Sequence, residues 1–352
     1  MPHRNIPIFI PHLGCPNQCV FCNQRSISGH GSFREETVAE EIEAALRTIS
    51  PDANAEIAFF GGSFTGIDRA LMLRLLETAE RYVKEGRVSG IRLSTRPDYV
   101  TPEILEILSR YSVRTVELGL QSMDEAVLLV SKRGHTAKQA AEACRAVVNA
   151  GFSLVGQMMI GLPQATLESE LRTAEEICEL GASAARIYPT VVFYETPLCE
   201  MVRDGSYKPL SVEEAVTRTA AVLEVFSARG VPCIRIGLCA TEALLSADAV
   251  MAGPNHPALG ELVLGEQAYG RLLCAVRDAK LCGKPIVLEI PTREISRTVG
   301  QHRCNLVRLE AETGTTVKKI IGNDHIEKVL PRLWQPNGKS LNEQQEENRT
   351  CI

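Results

Sequence analysis

No stretch of this chain approaches 18 consecutive apolar residues, so the sequence contains no candidate for a membrane-spanning helix. A secretory leader is equally missing: Met1 to Asn5 runs straight into an apolar strand, and the expected compartment is the cytoplasm. Disulfide-framework spacing is absent although there are twelve cysteines. Cys144, Cys178, Cys199, Cys233, Cys239, Cys274, Cys282, Cys304 and Cys351 are scattered, mostly in apolar contexts, and most of them read as buried inert thiols in a reducing compartment. Tryptophan is reduced to Trp334, which reads as core rather than as a platform for a stacked base. A strong excess of one charge is lacking too. The formal net charge of −5 argues against non-specific nucleic-acid binding by the whole molecule. What remains is an ordinary soluble composition, 45% hydrophobic and 23% charged. At 352 residues it has room for one large α/β barrel with an appendage, or for two to three domains.

Cys15, Cys19 and Cys22 are the exception to the scatter. They stand in Gly14-Cys15-Pro16-Asn17-Gln18-Cys19-Val20-Phe21-Cys22, a Cys-x3-Cys-x2-Cys run just after the apolar segment Ile6–Ile10. Three thiolates on one loop can hold three irons of a [4Fe–4S] cube, leaving the fourth iron open to an external ligand. A zinc site of the Cys3His type needs a nearby fourth ligand, and His12 and His30 are badly spaced for it.

The first two-thirds of the chain alternate β-branched runs with amphipathic segments. Strands are expected at Ile6–Ile10, Glu56–Phe60, Ile91–Ser94, Thr115–Leu120, Leu154–Ile160 and Ala185–Tyr188, with a further apolar run at Val231–Ile236. Helix starts are marked by Ser32 with Glu35, by Thr101-Pro102, by Thr136 with Gln139 and by Ser211 with Glu214. The resulting helices are Glu36–Ile49, Glu103–Arg110, Ala137–Ala150 and a long one ending near Arg229-Gly230. Six such repeats imply a parallel sheet, either a partial barrel or a doubly wound one. Functional groups are then expected at the C-terminal strand ends.

Short motifs fall at those ends in order. Phe60-Gly61-Gly62-Ser63 follows the second strand, Ser94-Thr95-Arg96-Pro97-Asp98 the third, Glu117-Leu118-Gly119-Leu120-Gln121-Ser122 the fourth. Lys132-Arg133-Gly134-His135-Thr136 and Gln157-Met158-Met159-Ile160-Gly161-Leu162-Pro163 come next. With the cysteine run, this set resembles the radical S-adenosyl-L-methionine (SAM) enzymes. The resemblance implies a partial (β/α)6 barrel, with a [4Fe–4S] cluster held by Cys15, Cys19 and Cys22. It also implies that SAM binds the open iron and is cleaved to a 5′-deoxyadenosyl radical. It places Gly61 and Gly62 at the SAM amino group, with Ser63 where many members have Glu. Ser94 and Arg96 fall near the ribose or substrate, and Gln121 at the ribose. Arg133 falls on the SAM carboxylate, for which a guanidinium fork is suited. The Gln157-to-Pro163 segment falls under the adenine.

Thr95–Asp98, Glu117–Ser122, Arg133–Thr136, Ile187-Tyr188-Pro189-Thr190 and Gly205-x-Tyr207-x-Pro209 narrow the resemblance to the Elongator catalytic subunit subgroup, over roughly residues 5–240. In that subgroup the radical carboxymethylates a wobble uridine of tRNA with acetyl-CoA from a fused acetyltransferase domain. No acetyltransferase-like segment is read in this chain, and Gln157 replaces the subgroup's His. Radical chemistry is therefore the expectation, with RNA (tRNA or rRNA) as the expected substrate and an external flavodoxin- or ferredoxin-like electron donor.

From Lys284 to Trp334 nine Lys/Arg face six Asp/Glu, a local +3 that leaves −8 on the rest. Ile286–Pro291, Thr292–Val299, Asn305–Gly314 and Thr316–Ile321 read as strand, helix, helix, strand, with Gly300-Gln301-His302-Arg303 between the helices. This order resembles a KH domain, whose GxxG loop clamps a nucleic-acid backbone. Here the loop ends in Arg303, and Arg297, Gly300, Arg303, Arg308 and Lys319 are the expected RNA contacts. The alternative for this segment is a small α+β cap with an incidental basic face. The expected organisation is a radical SAM barrel over 1–240, an extension over 241–283 with a helix at Glu266–Ala279, a KH-like α+β module over 284–334, and a disordered tail over 335–352. Rival functions are a radical SAM enzyme on a small heterocycle, akin to coproporphyrinogen oxidases, and a non-enzymatic RNA-binding iron–sulfur protein. His256 reads either as a proton donor or substrate contact near the barrel mouth, or as a loop residue bonded to backbone.

Overall fold

The computed structural model describes residues 3–11, 13–16, 19–23, 33–50, 53–238 and 248–335. Two compact units divide the chain, Met1–Gly260 and Glu261–Ile352.

The first unit is built on seven strands: β1 (His3–Ile10), β2 (Asn54–Gly61), β3 (Gly90–Thr95), β4 (Val113–Gln121), β5 (Ser153–Ile160), β6 (Ala184–Pro189) and β8 (Cys233–Ile236). Every neighbouring pair is parallel, and their order in the sheet is their order in the chain. That order settles the choice left open by periodicity. A doubly wound sheet reverses at a switch point, and this one never does. It is a half-barrel flanked by helices. Strands covered on both faces read as near-continuous apolar runs; Ile57, Phe59, Ile91, Leu93, Val116, Leu118 and Leu120 are all buried. A short ribbon, β7 (Val192–Phe193) against β9 (Val250–Ala252), lies outside the sheet.

The helix-start signals act as expected where they are described. Thr101 accepts the Ile104 N–H at 3.2 Å before α3 (Pro102–Ser109). Thr136 with Gln139 and Ser211 with Glu214 form complete capping boxes before α5 (Ala137–Asn149) and α8 (Val212–Ala228). Ser32 lies outside the described residues; the helix it was expected to open begins as a 3-10 turn at Glu35–Thr37 and continues as α1 (Val38–Leu46). Helix α9 (Leu259–Asp278) begins seven residues before the expected Glu266. His256 Nδ1 accepts the Ala258 N–H at 3.1 Å just ahead of it, so this histidine serves the backbone.

In the second unit, β10 (Pro285–Ile290), α10 (Ile295–Val299), α11 (Cys304–Thr313) and β11 (Thr316–Gly322) follow the expected order, and β12 (Leu330–Leu333) adds an unforeseen third strand. The sheet order is β11-β10-β12, with β11 parallel and β12 antiparallel to β10. Leu272, Val276, Ile286, Leu288, Ile290, Leu306 and Leu309 form its core. Trp334 is half-buried, and its N–H donates to Pro285 O at 2.9 Å. Residues 336–352, where a disordered tail is expected, lie outside the described residues, as do Cys239 and Cys351. Cys274, Cys282 and Cys304 are exposed, which corrects their reading as buried thiols. Cys144 does fit that reading, with burial pushing its thiol up to about 12. Among the described residues no helix is long and apolar enough to cross a membrane.

Candidate functional site

The cysteine loop is shaped by backbone contact with the Gly61-Gly62 turn. Gly62 N–H donates to Ile10 O at 2.8 Å and Ser63 N–H to Leu13 O at 3.0 Å. A Cβ at Gly62 would sit 2.0 Å from Leu13 O, and one at Gly14 only 2.2 Å from Ser63 O. The two turns interlock only because both positions are glycine. Farther on, Val20 N–H donates to Ser131 O, Leu198 N–H to Val20 O, and Cys22 N–H to Cys19 O. Val20 and Phe21 are buried beside Val127, Leu162 and Leu198. The loop is therefore pinned between α4 (Glu125–Val130) and α7 (Pro197–Arg203).

Cys19 is buried, while Cys15 and Cys22 are half-buried. Arg133 donates Nη1–H to Cys19 Sγ at 3.0 Å, and Arg96 approaches the same sulfur at 3.8 Å. The other Arg133 terminal nitrogen bonds Gly119 O at the end of β4, and Arg96 bonds the Arg133 carbonyl. Asp98 holds Arg96 in a two-pronged pair, both bonds 2.9 Å. Burial works against the charge of Arg96, but Asp98 and the Cys19 and Cys15 sulfurs outweigh it and hold its pKa above the ordinary value. Among the described residues no three Cys, His, Asp or Glu groups converge into a metal shell. The three thiols share one loop without closing on a common centre.

The remaining expected contacts divide into two groups. Gln121 sits at the β4 end with φ +69°, a left-handed conformation that strains a non-glycine residue. Its Oε1 is buried without a hydrogen-bond partner, and so is Arg133 Nε. Buried polar atoms are nearly always bonded, so these two mark a place for a polar ligand. Gly61, Gly62, Arg96, Gln121, Arg133 and Cys19 thus gather at the C-terminal strand ends. Ser63, by contrast, has no exposed surface; its hydroxyl bonds Thr95 at 2.7 Å and accepts the Arg96 N–H. Ser94 is half-buried against Phe59 O at 3.5 Å. Gln157 lies one layer deeper, donating to Glu117 at 2.8 Å.

Two arrangements escaped the sequence reading. The first is a charged layer on the concave face, where Glu117 receives Arg92 and Arg186. Its signal was single charges at inner positions of otherwise apolar strands. The second holds the Gly161-Leu162-Pro163 turn. Glu170 accepts the Gly161 N–H at 2.7 Å, Tyr207 donates its hydroxyl to Gly161 O at 2.6 Å, and Arg218 bonds Glu170 and Ala165 O. Burial raises the Glu170 pKa even though Arg218 and the Gly161 N–H oppose it. Next to Arg133, burial and the neighbouring guanidinium lower His135 to about 4, keeping it neutral.

In the second unit, Arg308 pairs with Glu266 at 2.6 Å and Glu312 at 2.7 Å and lies 4.0 Å from the centre of the Tyr269 ring. Arg297 stands 3.5 Å from Glu261. Arg303 and Lys319 are exposed with no carboxylate partner among the described residues. Gly300 has φ +76°, and after Gln301 the left-handed region recurs at His302 (φ +49°) and Arg303 (φ +63°).

Comparison with known proteins agrees with this geometry. The radical SAM superfamily profile matches residues 9–177, and a radical SAM C-terminal domain profile matches 182–268. Elongator complex protein 3 of Homo sapiens is 30% identical over 222 residues, which are 62% of this chain and 38% of the relative. The Saccharomyces cerevisiae protein of that name is 34% identical over 137 residues, 38% of this chain and 25% of the relative. The chain thus spans about two-fifths or less of the length of these curated relatives. An Elp3 structure from the archaeon Methanocaldococcus infernus superposes with a TM-score of 0.58 at 20% identity, covering 79% of this chain and 63% of that one. It shares the fold. The half-barrel, the cysteine loop and the profile matches together place this chain in the radical SAM superfamily, whose cofactors are a [4Fe–4S] cluster and SAM.

Proposed function

We propose that this protein is a radical SAM enzyme that modifies a base in RNA. The observation that carries the enzymatic reading is the meeting of Cys19, Arg96, Arg133 and Gln121 at one set of strand ends, with two buried polar atoms left unbonded. Cys15, Cys19 and Cys22 would hold the cluster, and Gln121 Oε1 and Arg133 Nε would meet polar groups of SAM. When bound, the cluster supplies the electron that cleaves SAM to a 5′-deoxyadenosyl radical.

The chain's own residues prepare that event. Arg133 and Arg96 bring positively charged hydrogen-bond donors to the Cys19 sulfur and so fix where that ligand would sit. Asp98 fixes the Arg96 fork, and the Arg96–Arg133 carbonyl bond ties the two guanidinium-bearing segments together. The Glu170, Tyr207 and Arg218 clamp holds the Gly161–Pro163 turn, where the adenine would lie. Neutral His135 adds no charge beside Arg133.

Support for an RNA substrate comes from the likeness to Elongator complex protein 3 and from the second unit. Among the described residues Arg303 and Lys319 are exposed cations without a carboxylate partner, which leaves them free to meet phosphates. The positive-φ residues Gly300, His302 and Arg303 turn the chain sharply between α10 and α11, where a KH-like module would carry its backbone-clamping loop. Mass spectrometry of cellular RNA from a strain lacking the gene tests the reading. One modified nucleoside should disappear, or its precursor accumulate; an unchanged nucleoside profile would turn the assignment toward a small-molecule substrate.

A further inference from the structure

The concave face of the half-barrel carries charge that the cofactor site does not use. Glu56 on β2, Arg92 on β3, Glu117 on β4, Arg186 on β6 and Arg235 on β8 form one layer. Arg92 bonds Glu56 at 3.0 Å and Glu117 at 2.9 Å. Arg186 reaches Glu117 with two nitrogens, at 2.7 and 2.9 Å. Glu117 has no exposed surface. The two carboxylates are thereby matched by two guanidiniums.

Arg235 is left over. It is the register partner of Arg186 on the adjacent parallel strand, a position where like charges repel. Among the described residues it meets no carboxylate. Its Nε and Nη2 instead donate to the carbonyls of Gly237 and Leu238, at 3.0 and 2.8 Å. Among the described residues, three cations against two anions give this layer +1. Tyr188, the next inner position of β6, lies beside Arg186, and burial raises its phenol pKa. The Arg186 guanidinium lies 5.3 Å from the centre of the Phe60 ring. Charged, donor-rich and partly exposed groups thus adjoin a flat apolar wall.

We infer that Arg235, with Arg186 beside it, is an oxyanion seat for a carboxylate or phosphate group carried by the substrate, whose body lies against Phe60. A guanidinium held on two backbone carbonyls keeps a fixed direction and suits a planar or tetrahedral oxyanion. The inference rests on reading the concave face as an active centre, not on the RNA assignment.

The test is calorimetry on the full chain, cluster-loaded without oxygen and saturated with SAM. Two matched probe pairs are used, uridine 5′-monophosphate against uridine and benzoate against benzamide. At least one anion should bind roughly tenfold tighter than its neutral partner, the size of one charge-assisted hydrogen bond. Arg235→Gln should abolish that preference, and Arg235→Lys should restore part of it. A preference only in the nucleotide pair identifies a nucleotide phosphate; only in the benzoate pair, a carboxylic acid. No preference in either pair, or one that survives Arg235→Gln, overturns the seat. Should Arg235→Gln fail to fold, phenylglyoxal modification of the wild type, mapped by mass spectrometry, decides. Arg235 should be protected by the preferred anion and not by its neutral partner, and equal labelling overturns the proposal. Loss of RNA binding by the second unit with this preference intact removes the RNA reading and leaves the seat standing.

Discussion

Arg133 donates Nη1–H to Cys19 Sγ at 3.0 Å while its Nε stays buried and unbonded. One side chain thus touches a proposed cluster ligand and keeps a donor in reserve. Arg133→Ala should leave iron content intact and weaken SAM binding by about one to two orders of magnitude, since a hydrogen bond to a charged group contributes about 1.5–3 kcal/mol. It should also shift the cluster to a more negative potential, because hydrogen bonds to cluster sulfurs are one of the levers on it. Calorimetry and a redox titration check the two effects. Unchanged SAM affinity would confine Arg133 to a structural role.

The cysteines divide by role. Purified without oxygen, the protein should carry about four irons per chain, as expected for one cube. Replacing Cys15, Cys19 or Cys22 with Ala should remove both iron and SAM cleavage. Replacing Cys178, half-buried with its pKa raised by burial, or the exposed Cys274 should change neither. Iron loss in Cys178→Ala would overturn the ligand assignment.

His135 gives a pH dependence of known sign. Its folded pKa, about 4, lies below the ordinary 6.5 because burial and Arg133 disfavour the imidazolium. The unfolded chain therefore binds the proton first as pH falls. Stability from this residue is complete above pH 6.5, drains below it, and is exhausted near pH 4. Between pH 7 and 5 the loss should be roughly 2 kcal/mol, at 1.36 kcal/mol per unit. Chemical denaturation at both pH values should show it in the wild type and not in His135→Gln.

Much of the site was legible because its residues obey local rules. A cysteine run after an apolar strand and capping pairs such as Thr136 with Gln139 announce themselves in a few residues. What was missed depends on distance. Glu117 stood inside a quoted motif, yet its partners Arg92 and Arg186 come from β3 and β6, and no local pattern pairs them. Helix α9 was begun late because Gly260 and Gly265 dilute the helical signal in its first half. Strand β12 was hidden by Pro331, which an edge strand tolerates. Exposure of Cys274, Cys282 and Cys304 follows from the packing of the second unit, which composition does not report.

The basic module sorts its own arginines. Arg303→Glu with Lys319→Glu should abolish RNA binding while sparing iron content, because neither cation has a carboxylate partner among the described residues. Arg308→Glu should instead destabilise the unit, since it would face Glu266 and Glu312 and leave the Tyr269 ring. Wild-type affinity should fall with salt at a log–log slope of about −0.7 per phosphate contact on a single strand. Filter binding across a salt series checks both, and binding indifferent to salt and to the double replacement would sink the RNA reading.

Tyr207 tests the turn after β5. Its hydroxyl donates to Gly161 O at 2.6 Å, and Glu170 takes the N–H of the same residue, so Gly161 is held by side chains on both polar groups. Gly161 itself has φ +79°, a conformation that needs such holding to stay fixed. Tyr207→Phe keeps the ring and leaves the buried carbonyl unbonded, a loss of about 1–3 kcal/mol. If the turn only braces the fold, the melting temperature should fall and SAM affinity should not. If it seats the adenine, as proposed, SAM affinity should fall as well, with iron content unchanged. Calorimetry with SAM and with S-adenosylhomocysteine should then show equal losses, since both carry the adenine that the turn would position.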